Sequence, residues 1–115
     1  MKKPIVYGIP NCDSVKKART WLSEQGLDYD FHDFKKKGVP EARLKHWLQA
    51  CGWEMVLNRK GTTWRQLDAA TQSAVTDAAS AGALMLQLAS VIKRPVIDWP
   101  SGTTTVGYQP EKWPA

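Results

Sequence analysis

A strand, a helix and a second strand succeed one another within the first 34 residues, and that order fixes most of what the chain can become. Ile5-Val6-Tyr7 is a short apolar run suited to a buried strand. Val15, Ala18 and Leu22, with Trp21 beside them, recur at helical spacing over residues 13–25, and Gly26 supplies a left-handed stop. A strand pattern resumes over residues 29–34. A βαβ unit of this size closes with a right-handed crossover, so its two strands lie parallel in one sheet.

Gly8-Ile9-Pro10-Asn11-Cys12-Asp13-Ser14 joins the first strand to the helix. Cys12 thus falls at the carboxyl end of a strand, where open α/β sheets commonly bind ligands, and at the start of a helix. A helix N-terminus carries partial positive charge and unpaired N–H groups, which stabilise a thiolate. Lys16 and Lys17 strengthen that field, although cations in a first turn oppose the helix dipole. Locally unfavourable choices of this kind concentrate at functional sites. Cys12 is therefore the candidate reactive thiolate.

Lys35-Lys36-Lys37-Gly38 is a basic turn, read as a solvated loop in preference to a docking patch. Pro40 and Glu41 suit the first turn of a second helix, in which Leu44, Trp47, Leu48 and Cys51 share the core-facing side. Cys51 is accordingly a packing residue. His46 falls on the polar side and His32 in a strand, without ligand-spaced companions, so neither metal nor catalytic histidine is assigned. Gly52 ends this helix. Thr62 or Thr63 can cap a short helix holding Trp64 and Leu67, and Thr71 another to about Ala81. Gly82 separates that from residues 83–92, whose apolar character on most sides predicts deep burial. Residues 96–99 and 103–106, joined by Pro100-Ser101-Gly102, form a hairpin, and residues 109–113 a last short helix.

A chain of 115 residues without repeat, linker or low-complexity segment implies one domain over residues 1–115, with a helical insertion over about residues 40–92. No apolar run reaches the roughly 18 residues of a membrane span or resembles a secretory leader, which points to the cytoplasm. Two cysteines are no disulfide framework. The net charge of +5 favours anionic small molecules or acidic protein surfaces as partners. The cations are spread along the chain without a nucleic-acid motif, which argues against nucleic acid.

The order βαβ, helical insertion, ββ, with a cysteine after the first strand and Arg94-Pro95 before the third, is thioredoxin-like. Three stretches resemble the arsenate-reductase-like (ArsC/Spx) family, most nearly its YffB branch. They are Gly8-Ile9-Pro10-Asn11-Cys12-Asp13-Ser14-Val15-Lys16-Lys17-Ala18, Leu57-Asn58-Arg59-Lys60-Gly61-Thr62-Thr63-Trp64-Arg65 and Ile92-Lys93-Arg94-Pro95-Val96. The resemblance implies an α/β fold with a mixed four-stranded sheet and an inserted helical subdomain. It also implies Cys12 as the active-site thiol, Pro95 as a cis-proline facing it, and Arg94 and Arg59 in an oxyanion pocket. Guanidinium forks pair bidentately with oxyanions, so the chemistry is consistent. Asn11 and Ser14 can donate hydrogen bonds to a thiolate or an anion; for Ser14 and Asp13, plain helix capping is an equal alternative.

Two departures bear on function. Arsenate reductases of this family carry a third arginine before a proline near the C-terminus, where this chain has Gln109 before Pro110; an uncharged amide argues against arsenate as substrate. Val15 stands where Spx-type regulators often have the second cysteine of a Cys-x-x-Cys switch. A mixed disulfide at Cys12 then needs an outside thiol, such as glutathione as co-substrate, to resolve it. The expected function is a cytoplasmic monothiol oxidoreductase with no bound cofactor. The alternative is an Spx-like regulatory protein that binds RNA polymerase or another acidic partner.

Overall fold

The computed structural model describes residues 3–114; Met1, Lys2 and Ala115, the ends of the expected domain, lie outside the described residues. Contacts divide the chain into two compact units, one built from both ends (up to Lys37 and from Arg94) and one over Gly38–Lys93.

The first unit holds strand β1 (Ile5–Gly8), helix α1 (Asp13–Glu24), β2 (Asp30–Asp33), a single helical turn α2 (Phe34–Lys37), β3 (Val96–Asp98) and β4 (Thr104–Val106). The sheet order is β2-β1-β3-β4. β2 runs parallel to β1, with Gly8 opposite Asp33. β3 is antiparallel to β1, with Tyr7 opposite Val96, and β4 is antiparallel to β3. This is the mixed four-stranded α/β arrangement of the thioredoxin type expected from the sequence. Pairing in both directions follows from the chain: β1–α1–β2 is a crossover unit, whereas Gly102, at φ 94°, reverses the β3–β4 hairpin.

Val15, Ala18 and Leu22 of α1 are buried, as their spacing requires, and Gly26 ends the region at φ 70°. Ala18 and Leu22 pack with Val6, Ile97, Trp99 and Trp113 into one cluster, joined at its margin by Trp21, Phe31 and Tyr108. Trp113 is its hub: its ring lies 5.1 Å from Trp21, 5.5 Å from Trp99 and 5.6 Å from Tyr108. The Trp21 and Tyr108 contacts are edge-to-face, and aromatic pairs of this kind add about 0.5–1.5 kcal/mol each beyond area burial.

β2 is shorter than the pattern suggested. It stops at Asp33, whose carboxylate accepts the Lys35 backbone N–H at 2.9 Å, and Phe34–Lys37 coil instead of extending. The three lysines therefore sit on a helical turn, not a loop. The final segment is a 3-10 turn, Pro110–Lys112.

The second unit contains α3 (Glu41–Cys51), α4 (Trp53–Val56), α5 (Thr62–Arg65), α6 (Ala69–Ser73), α7 (Ala78–Gln87) and a 3-10 turn at Ala89–Val91. Leu44 and Trp47 are buried as expected, whereas Leu48 and Cys51 are half-buried. The expected caps differ. Gly61, not a threonine, precedes α5. Asp68 caps α6 by accepting the Thr71 N–H at 2.8 Å, so Thr71 is the donor and not the cap. Asp77 and Ser80 form a reciprocal capping box on α7.

α7 also runs straight through Gly82, which is no separator. A Cβ built there would stand 3.1 Å from Leu48 Cδ1, so this glycine lets α3 and α7 approach closely. Beyond Gln87 the apolar run does not continue as one helix: Ile92 is extended and bridges Leu57. Met85, Val91 and Ile92 are buried, but Leu86 and Leu88 are exposed, against the prediction of burial throughout. Among the described residues no helix is long and apolar enough to cross a membrane.

Candidate functional site

The N-cap of α1 is Cys12 itself, in extended conformation at φ −147° and ψ 126°. Its carbonyl accepts the Lys16 N–H at 2.9 Å, the first bond of the helix. An N-cap side chain normally offers an oxygen to the N–H groups of the first turn. Here the side chain in that place is a thiol, and no side chain makes a capping bond. The N–H groups of Asp13, Ser14 and Val15 precede the first intrahelical donor, Lys16, and face the N-terminal end. Such an array favours negative charge on sulfur or on a bound oxyanion. The capping alternative for Asp13 and Ser14 is thus not realised.

Cys12 is half-exposed, Asn11 exposed and Ser14 half-buried. Neither Asn11 nor Ser14 makes a side-chain hydrogen bond to another described residue, so both polar groups can turn to a ligand. Neither cysteine forms a disulfide.

Two neighbours hold this corner in place. At the end of β1, a Cβ on Gly8 would lie 2.7 Å from Val15 Cγ2 and 3.9 Å from Arg94 Cβ. The missing side chain lets the first turn of α1 press on the strand end, next to the residue leading into β3. The Arg94–Pro95 peptide is cis, Pro95 is fully buried, and its carbonyl accepts the Gly107 N–H at 2.8 Å. Because Tyr7 pairs with Val96, Arg94 and Pro95 enter the sheet at the edge where Gly8 leaves it. The structure therefore brings Asn11, Cys12, Ser14, Arg94 and Pro95 to one end of the sheet.

Arg59 belongs to the other unit. It is exposed there, 3.8 Å from Glu54 and with its guanidinium 5.3 Å from the Trp53 ring centre. Gln109, at the position of the third arginine, is half-buried and begins the last 3-10 turn. Among the described residues no three His, Cys, Asp or Glu side chains gather as a metal site.

Sequence reasoning missed two features of this region. In the sequence Gly8 stands only as the start of the loop, whereas in the fold it is the contact point for Val15. Arg19, on α1, lays its guanidinium 4.2 Å from the centre of the Phe31 ring and donates to Tyr29 Oη at 3.1 Å. An arginine three residues after Lys16, facing a strand with aromatics at alternate positions, was the available signal.

The ArsC family profile matches residues 7–115. Among solved structures, a YffB protein is 49% identical, with 95% of this chain and 94% of that one covered and a TM-score of 0.88. An arsenate reductase (ArsC) related protein from Brucella melitensis is 46% identical over 96% of this chain and 90% of that chain, with a TM-score of 0.75. The global transcriptional regulator Spx of Lactiplantibacillus plantarum is 27% identical over 66 residues, covering 56% of this chain and 50% of the regulator.

Proposed function

Because the chain belongs to the ArsC family, we propose that it is a monothiol oxidoreductase of a reducing, cytoplasmic compartment. Cys12 is its nucleophile, and an outside thiol, glutathione or a relative, resolves the intermediate. The observation that carries this reading is a thiol in the N-cap position of α1, uncapped, at the sheet end where Arg94 and Pro95 enter. The first-turn N–H groups can donate to a bound anion at this end of α1, and Arg94 offers a guanidinium fork to an oxyanion. Asn11 and Ser14 supply neutral donors, and Arg59 a second cation on the family resemblance. Pro95 has no N–H, so its buried ring presents an apolar wall.

The chemistry balances with one protein thiol. The Cys12 thiolate attacks a sulfur of an oxidised substrate, the S–S bond breaks, and the departing thiolate takes a proton. An external thiolate then attacks the Cys12 sulfur of the mixed disulfide, which releases the other half of the substrate as a thiol and leaves Cys12 joined to the external thiol. A second external thiolate attacks that outer sulfur, the Cys12 thiolate leaves, and the two external thiols depart as one disulfide, having given the substrate two electrons. With Gln109 in place of a cation, sulfur substrates suit the site better than arsenate.

Glutathione-dependent turnover of arsenate, mixed disulfides and small electrophiles, run beside Cys12→Ser and Arg94→Ala, tests this. Turnover that survives Cys12→Ser, or its complete absence with every substrate, sinks the proposal. The match to Spx favours a second reading, a regulatory protein that binds RNA polymerase. Failure of purified polymerase to bind the protein at micromolar concentrations, reduced or oxidised, would rule that out.

A further inference from the structure

The charges of the first unit are sorted by end. At the amino end of β1, Asp30 and Asp98 stand opposite Ile5, and Lys3 pairs with Asp30 at 3.1 Å. The carboxyl end is cationic. β2 and β1 are parallel with Gly8 opposite Asp33, so Lys35, Lys36 and Lys37 follow at the end of the sheet from which the Cys12 segment leaves. Lys16 lies one turn before Arg19, on the side of α1 that covers Phe31 of β2; it therefore leans toward the corner where α2 begins. Lys17 lies one turn before Trp21, on the side packed against Trp113.

All five lysines are exposed, and none pairs with a carboxylate among the described residues. The acids nearby are Asp13, exposed in the first turn of α1, and Asp33, whose carboxylate is engaged by the Lys35 N–H. Three adjacent lysines repel one another, and two more near the N-terminus of α1 oppose its dipole. The fold accepts both with only Asp13 and Asp33 as acids beside them.

Resting on the reading of Cys12 as the reactive thiol, we propose that this end of the sheet docks an acidic peptide segment, whose oxidised cysteine is thereby presented to Cys12. A small oxyanion does not explain the lysines. They occupy two separate segments, the start of α1 and the helical turn α2, which is itself about 6 Å long, and cannot all converge on one group. A bidentate arginine suits a single oxyanion better than flexible ammonium groups do. Single-stranded nucleic acid needs exposed aromatic platforms for its bases, and the exposed residues at this end (Pro10, Asn11, Asp13 and the lysines) include no aromatic. Several carboxylates spread along an extended peptide match the spacing of several point charges. The interaction acts mainly on encounter, since exposed pairs add little to bound-state affinity.

The test uses two peptides that differ only in the residues flanking one cysteine, Glu and Asp in one and Gln and Asn in the other. Each carries that cysteine as a mixed disulfide with a coloured aromatic thiol. Attack by the Cys12 thiolate breaks this S–S bond, forms Cys12–S–S–peptide and releases the coloured thiolate, with no net redox change. The acidic peptide should react at least about tenfold faster at about 0.01 M salt. That advantage should collapse near 1 M, where the screening length falls from about 30 Å to about 3 Å.

Lys35→Glu/Lys36→Glu/Lys37→Glu should bring the rate ratio to one or below, whereas Lys3→Glu at the opposite end should keep it. Circular dichroism of each variant establishes that it is folded. Equal rates for the two peptides, a preference indifferent to salt, or one that survives the triple variant overturns the docking surface. So does a single-stranded oligonucleotide of equal charge that competes as well as the acidic peptide. Release that persists in Cys12→Ser, or no release from either peptide, instead defeats the underlying assignment of Cys12.

Discussion

Replacing Gly8 by alanine should loosen the whole corner that carries Cys12, and the size of the effect follows from one distance. The added methyl would lie 2.7 Å from Val15 Cγ2, against about 3.5–4.0 Å for a comfortable carbon–carbon contact. Roughly 1 Å of separation must therefore be found. Val15 cannot supply it by rotating, because a helical valine keeps essentially one χ1 rotamer and this one is fully buried. Arg94 Cβ already stands in van der Waals contact with the added methyl, at 3.9 Å. The first turn of α1 must lift.

Overpacking of this kind costs about 1–3 kcal/mol, and the stiffer unfolded chain returns about 0.4–1 kcal/mol. The net expectation is a loss of about 1–2 kcal/mol, or a fall in Tm of roughly 4–15 °C for a domain of this size. Urea unfolding, followed by the fluorescence of the Trp21, Trp99 and Trp113 cluster, measures it. The decisive comparison is a double-mutant cycle with Val15→Ala, which removes the obstructing methyl. Gly8→Ala/Val15→Ala should be at least about 1 kcal/mol more stable than the sum of the single losses predicts. Additive losses, or a neutral Gly8→Ala, would refute the close-approach argument.

Four further expectations are simpler. Gly82→Ala should be neutral to stabilising by up to about 1 kcal/mol in the same urea titration, because it improves a helix interior and the crowded atom is the movable tip of Leu48. Trp113 Nε1 is buried with no hydrogen-bond partner among the described residues, so Trp113→Phe should cost under about 1.5 kcal/mol, whereas Trp113→Ala should cost about 3–5 kcal/mol. Backbone and side-chain bonds from Ser80 hold the Asp77 carboxyl below its ordinary value of 3.8; the stability it gives α7 is therefore present above that pH and lost as pH falls through the lowered value. Asp77→Asn should flatten that acid limb in a series of Tm measurements below about pH 4, while leaving Tm at neutral pH little changed. Cys12 stands at the N-terminus of α1 and Cys51 closes α3, so iodoacetamide should label Cys12 at least about tenfold faster, with mass spectrometry of digests as the readout.

Helix α1 was legible because Val15, Ala18 and Leu22 obey a period that only a helix satisfies, and Gly26 closes it. β2 and α2 were not separable from sequence: 29–34 alternates well enough for a strand, and the stop at Asp33 depends on a carboxylate turning back to Lys35. Gly82 misled for the opposite reason, since a glycine that permits close helix packing looks in sequence like one that breaks a helix. The apolar run after it failed as a single helix because Ile92 is claimed by a bridge to Leu57, a contact 35 residues distant that no local pattern contains.

At the site, the position of Cys12 could be read from the βα junction alone. The placement of Arg94 and Pro95 beside it needed the antiparallel register of β3, and sequence could anticipate that only through the family resemblance. Arg19 over Phe31 is a side-chain encounter between a helix and a strand; hydrophobic periodicity does not encode it, and only the alternate aromatics Tyr29 and Phe31 hint at it.

The pairing of β1 with β3 also has a consequence in time. β1 is made among the first residues, and its second partner starts only at Val96, after the whole of Gly38–Lys93. At about 5–20 residues per second, a ribosome takes several seconds to synthesise that stretch. Throughout it, one edge of Ile5-Val6-Tyr7 has no strand to bond with, and the thiol of Cys12 emerges long before Arg94. A nascent chain stalled in this interval therefore displays an unpaired apolar edge beside a reactive sulfur, the combination most exposed to aggregation and to stray disulfides.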